Sequence, residues 1–227
     1  YKVAWPKIRT RIKYLELREY KLDTYTGGDS YFMDMHNVEE LELPKGGMNV
    51  GSGDDDCIRY FANADKLKKI TVCRVEDNKK FDITDDGAKD IPLLDRVGKY
   101  MFSNCYSLST KYINRLIKGV TEIKDNAFYA DKDNRGKFSD ETSNTIIEIP
   151  SSVTKIGSQA FYNRVKVTGL NIHGNSDGLE IGSQAFRGCE QLNALNLDNA
   201  KITNLGTGVF GDCRSMTNDF VNGVLTN

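Results

Sequence analysis

One hexapeptide occurs twice. Residues 156–161 and residues 181–186 both read IGSQAF, 25 residues apart. Identity over six positions at that separation marks an internal repeat, and a period of ~20–50 residues implies a solenoid or a similar array. Each copy leads into the same tail. Phe186 is followed by Cys189, Leu192, Leu195 and Leu197, and Phe161 by Arg164, Val167, Leu170 and Ile172 at equal offsets. The template is therefore I-G-x-x-A-F-x-x-C-x-x-L-x-x-L-x-L.

The template extends in both directions. Phe210 with Cys213 and Met216 continues it toward the C-terminus. Ile123 to Phe128, and Val97 to Phe102 with Cys105 and Leu108, carry it toward the N-terminus. Phe61 and Phe32 head more divergent copies, and Ile12, Leu15 and Leu17 fit only a tail. The phenylalanines at 32, 61, 102, 128, 161, 186 and 210 are separated by 29, 41, 26, 33, 25 and 24 residues. The two longest gaps hold polar insertions, at 73–91 and 131–144, which are expected to be surface loops. The whole of 1–227 reads as a single array, with a degenerate N-terminal repeat or cut edge over 1–31 and a degenerate end over 217–227.

Within a copy, the L-x-L stretch alternates with period two. The pairs Leu15/Leu17, Leu41/Leu43, Ile70/Val72, Ile147/Ile149, Leu170/Ile172 and Leu195/Leu197 predict short strands with one buried face. Like strands one coil apart can only stack in parallel. VTxIG stretches such as 153–157 predict a second short extended segment. The GSQAFxxC segment between has room for at most a turn or two of helix. One coil cannot bury its own Phe and Leu, so stacked coils must bury one another's, in a spine of Phe and rows of Leu.

Composition narrows the function. The 31 basic and 32 acidic residues are well mixed, which leaves no footprint for nucleic acid or an anionic membrane. No apolar run approaches the ~20 residues of a membrane span. The chain starts at Tyr1 and reads as a mature fragment or a piece of a longer chain. Of the five cysteines, Cys105, Cys189 and Cys213 share one template position. That favours a small apolar residue in a recurring buried niche over a disulfide or metal site.

At this point VTKIGSQAFYN and LEIGSQAFRGCEQLNALNL resemble the BspA-like leucine-rich repeats. The likeness covers roughly residues 28–216. It implies a leucine-rich-repeat right-handed solenoid, with a parallel β-sheet on one face and short β, 3-10 or helical segments on the other, mostly β with little helix. It also implies a bacterial cell-surface or extracellular location and, for well-known members, adhesion. The expected partners are a host extracellular protein, a surface glycan or another bacterial surface protein. Arg164 and Asp131 depart from the motif in place of the cysteine.

Motifs for chemistry are sparse. His36 and His173 flank strands and read as surface histidines. Asp131 opens a calcium-like loop, but Arg135 and Thr142 stand where an EF-hand needs ligands. Gly51 to Asp56 is an acidic turn that reads as a charged loop tip. No cofactor, metal or nucleophile motif emerges, so an acid-loop hydrolase is the least favoured option. Geometry does single out one set. The central residue of each L-x-L points out of the core, so Glu16, Glu42, Thr71, Glu148, Asn171 and Asn196 are expected to form one exposed binding ribbon. The favoured function is a non-enzymatic protein- or glycan-binding adhesion module. The alternative is a structural spacer displaying another domain, possibly an enzyme. On the first reading, charge reversal at Glu42 and Glu148 should weaken binding with the melting temperature unchanged.

Overall fold

The computed structural model describes residues 9, 11–19, 32–50, 59–133, 145–174 and 177–217. The L-x-L stretches form strands β1 (Tyr14–Glu16), β2 (Glu40–Glu42), β3 (Lys69–Cys73), β6 (Ile146–Ile149), β8 (Gly169–His173) and β10 (Ala194–Asp198). All of them pair in parallel, with like template positions opposed: Leu15 with Leu41, Leu41 with Ile70, Ile147 with Leu170, and Leu170 with Leu195. The VTxIG stretches form a second parallel sheet from β5 (Glu122–Ile123), β7 (Lys155–Ile156), β9 (Leu179–Ile181) and β11 (Ile202–Leu205). The inward aliphatics fall in one continuous core between the two faces, with Leu41, Ile70, Ile147, Leu170 and Ile156 at 0% exposure.

The phenylalanine spine is continuous. Rings 32–61, 61–102, 102–128, 128–161, 161–186 and 186–210 stack at 6.1, 5.4, 5.7, 5.3, 5.1 and 5.9 Å between centroids. Sequence gaps of very different length thus converge on one step. Phe102, Phe128, Phe161 and Phe186 are fully buried, and each gains dispersion and offset-stacking energy from both neighbours.

The segment around each Phe is not helical. It is a run of turns with left-handed residues two before and two after most of the rings. Tyr100, Asn126, Gln159 and Gln184 hold φ of 56, 57, 56 and 59° before it, and Asn63, Asn104, Asn163 and Asp212 hold 62, 58, 57 and 59° after it. Asn and Asp tolerate this region best, which accounts for their recurrence after the ring. The alternation aims backbone groups at the next coil. The N–H groups of Phe102, Phe128 and Phe161 each donate to the carbonyl of the Ala in the following A-F pair at 2.8 Å. The hexapeptide glycine has an equally local cause. A Cβ on Gly157, Gly182 or Gly206 would lie 2.4–2.5 Å from a backbone N of the preceding coil.

The cysteines fill the expected niche. The thiols of Cys105, Cys189 and Cys213 donate to the carbonyls of Phe61, Phe161 and Phe186, one coil back, at 3.2, 3.5 and 3.2 Å. Burial pushes the Cys105 thiol up to about 12 and Cys213 up to about 11, so neither is a thiolate at neutral pH. Arg164 stands in this row and is also buried. It donates to the carbonyls of Cys105 and Leu108 at 3.2 and 3.0 Å.

Two departures from the repeat shape the molecule. Residues 73–91 are more than a loop. They carry β4 (Lys80–Asp82), antiparallel to β3, and a 3-10 turn at Asp86–Ala88, and they bury Ile83 and Ala88. The coil of Phe102 has no L-x-L pair. Its strand slot holds helix α1 (Thr110–Ile117), with Ile113, Leu116 and Ile117 buried at helical spacing. Gly119, at φ 88°, follows the helix end in the left-handed conformation that commonly closes one. The second insertion lies almost wholly outside the described residues, which resume at Thr145.

Candidate binding face

The six expected ribbon residues line up in two groups. Register opposes Glu16, Glu42 and Thr71 across β1–β3, and Glu148, Asn171 and Asn196 across β6, β8 and β10. They do not form one ribbon, because α1 stands between the groups. On one side, Tyr112 Oη donates to Asp82 Oδ2 of β4 at 2.7 Å. On the other, Asn114 Nδ2 donates to the Ile146 carbonyl at 2.8 Å, and the Glu148 N–H donates to Asn114 Oδ1 at 3.0 Å.

The N-terminal group is closed. Glu42 is fully buried, contrary to the expectation of an exposed x position. Its carboxylate accepts from Arg18 Nε at 2.6 Å, from Cys73 Sγ at 3.3 Å and from Tyr14 Oη, and pairs with Lys80 Nζ at 3.1 Å. Lys80 also bonds Glu40 at 3.0 Å. Burial pushes the Glu42 carboxyl upward, but the bonds from Arg18, Tyr14, Lys80 and Cys73 together outweigh it and bring it to about 2. Thr71 is likewise buried, in register between Glu42 on β2 and Asp82 on β4. The cause in both cases is β4. The repeat does not contain it, and it brings Lys80 onto the face. Glu16 alone of this group stays open, half exposed and 3.8 Å from Arg18. Charge reversal at Glu42 is therefore expected to unfold this corner, not to report on binding.

The C-terminal group is open. The Glu148 side chain is 40% exposed, and Asn196 is exposed. Asn171 Nδ2 donates to Glu148 Oε1 at 2.9 Å. The group has two further members that the L-x-L reading left out, His173 and Asp198. His173 Nε2 lies 3.0 Å from Glu148 Oε2, and its Nδ1 lies 3.6 Å from Asp198 Oδ2. The signal was period two: His173 and Asp198 sit two residues beyond Asn171 and Asn196 on the same strands. No Lys or Arg occurs within β6, β8 or β10, so the face is acidic and amide-bearing.

Elsewhere, His36 Nδ1 lies 3.0 Å from Asp65 Oδ1 on the exposed surface. The acidic turn at 51–56 lies outside the described residues, as does most of the calcium-like loop after Asp133. Among the described residues no group of three or more His, Cys, Asp or Glu is placed to hold a metal ion, and no helix is long and apolar enough to cross a membrane.

Stacked parallel coils with a phenylalanine spine and rows of leucine define a leucine-rich-repeat solenoid. More narrowly, the chain belongs to the BspA type leucine rich repeat region family, whose model matches residues 21–134 and 133–227 in 6 copies. It is similar to the crystal structure of a leucine-rich repeat protein from Bacteroides ovatus ATCC 8483, at 16% identity and a TM-score of 0.28, over 90% of this chain and 73% of that one. It is also similar to a leucine-rich repeat protein from Eubacterium ventriosum ATCC 27560, at 16% identity and a TM-score of 0.31, over 85% of this chain and 74% of that one. No curated protein matches the chain.

Proposed function

We propose that this chain is a non-enzymatic binding module of a bacterial cell-surface or extracellular protein. Its binding face is the exposed sheet of β6, β8 and β10, through Glu148, Asn171 and Asn196, with His173 and Asp198 beside them. The partner is a host extracellular protein, a surface glycan or another bacterial surface protein. One observation carries the reading: outward side chains on this sheet stay open, while Glu42 and Thr71 are buried. Solenoids use such sheet faces for extended contacts of many weak interactions. The closed N-terminal face favours a second role as a rigid spacer for that half of the chain. The test is retention of the purified chain on immobilised extracellular-matrix proteins and mucin. Glu148→Lys and Asn196→Lys should weaken retention with the melting temperature unchanged, and Glu16→Lys should not. Equal retention of all three variants, or no retention of the parent chain, would remove the sheet face from consideration.

A further inference from the structure

His173 sits between two carboxylates that belong to different strands. Glu148 comes from β6 and Asp198 from β10, the two outer strands of this sheet among the described residues, and His173 lies on β8 between them. Both ring nitrogens face a carboxylate oxygen, at 3.0 and 3.6 Å. A neutral imidazole has one N–H and can donate to only one of them, whereas the imidazolium donates to both. We propose that His173 is a pH-sensitive clamp on the exposed sheet, joining Glu148 and Asp198 when protonated and releasing Asp198 when neutral.

The asymmetry of the two contacts selects which bond is lost. The Glu148 contact is short, and Glu148 is itself fixed by Asn171 Nδ2. The Asp198 contact is longer, and Asp198 is more than half exposed. Among the described residues, Glu148 and Asp198 are the charged groups that act on the ring. α1, which flanks β6, presents the uncharged Asn114 on that side. The hydrogen bond His173 donates to Glu148 is the largest influence and raises the His173 pKa, against an opposing effect of burial and with further help from Asp198. A raised folded value means the clamp is complete below the ordinary histidine pKa of about 6.5 and is lost as pH rises through the folded value. Losing it removes one positive charge from the face and frees the Asp198 carboxylate on β10. The inference rests on that face being the binding surface, and it supplies the regulation: a ligand there meets a different charge pattern on the two sides of the His173 transition.

The clamp is testable with no ligand present. An NMR titration of the full chain should give a His173 midpoint above about 6.5. That midpoint should fall in both Glu148→Gln and Asp198→Asn. The Gly174 N–H, which donates to the Asp198 carbonyl at 2.7 Å, is the local reporter of β10 docking. Its protection against exchange, corrected for intrinsic rate, should drop about two- to fivefold as pH rises through the midpoint, the size expected of a part-exposed ion pair. His173→Asn should abolish the drop. A midpoint at or below the reference value, a midpoint unmoved in both variants, or flat Gly174 protection would overturn the clamp while leaving the binding role of the face to its own assay.

Discussion

The side chain of Asn114 serves the backbone of Glu148 as a neighbouring strand would. Its Oδ1 accepts the Glu148 N–H at 3.0 Å, and its Nδ2 donates to the Ile146 carbonyl at 2.8 Å. One amide on a helix thereby satisfies the edge of β6 that the missing strand of the Phe102 coil leaves open. Asn114→Leu keeps the size and removes both bonds. It should destabilise the chain by about 1–3 kcal/mol, the cost of unpaired buried polar groups. Urea unfolding measures the loss, and faster exchange of the Glu148 amide would localise it.

The spine predicts a graded series. Phe186 is fully buried between two rings, whereas Phe210 is only partly buried. Phe186→Ala should cost about 3–5 kcal/mol. Phe210→Ala should cost clearly less, because its ring is only partly buried and has less burial to lose. Equal costs in denaturant unfolding would mean that the rings do not act as one column.

The repeated glycine should resist even a methyl group. A Cβ on Gly182 would meet Ser158 N at 2.5 Å, so the coils must part to admit it. Gly182→Ala should destabilise by about 1–3 kcal/mol, the usual range for overpacking. Gly119→Ala meets nothing within 4 Å and bears only the strain of its positive φ of 88°, roughly 1–2 kcal/mol. The two effects separate by crystallography: only the first should widen the spacing between coils.

Acid should loosen the N-terminal face through Glu42. Its folded pKa, lowered to about 2, lies below the ordinary glutamate value. Its stabilisation is therefore complete above about 4.3 and is lost as pH falls from there toward the folded value. Glu42→Gln should lower stability at pH 7 and also shrink the difference between urea midpoints at pH 7 and pH 3. An unchanged pH difference in the variant would show that the network around Arg18 and Lys80 carries no linked proton.

Much of the architecture was legible because the repeat is strict where coils touch. Phe161, Phe186 and Phe210 could only stack, and the L-x-L pairs could only stack in parallel. What stayed hidden came from outside the template. Ile113, Leu116 and Ile117 follow a helical spacing, but a short apolar run is ambiguous between strand and helix. The only trace of α1 was the missing L-x-L pair in the Phe102 coil. The burial of Glu42 depends on Lys80, delivered by an insertion that a template reads as loop. His173 and Asp198 were within reach of period-two reasoning, yet their joining to Glu148 across three coils depends on ring orientation, which no spacing encodes.

The uniform ring-to-ring step of 5.1–6.1 Å has a consequence for how such a chain can vary. Spacing along the axis is counted in vertebrae and not in residues. Lengthening the chain between two rings swells the flank of the column and leaves its height unchanged. Two features mounted on different vertebrae therefore keep their separation however much the intervening segments grow.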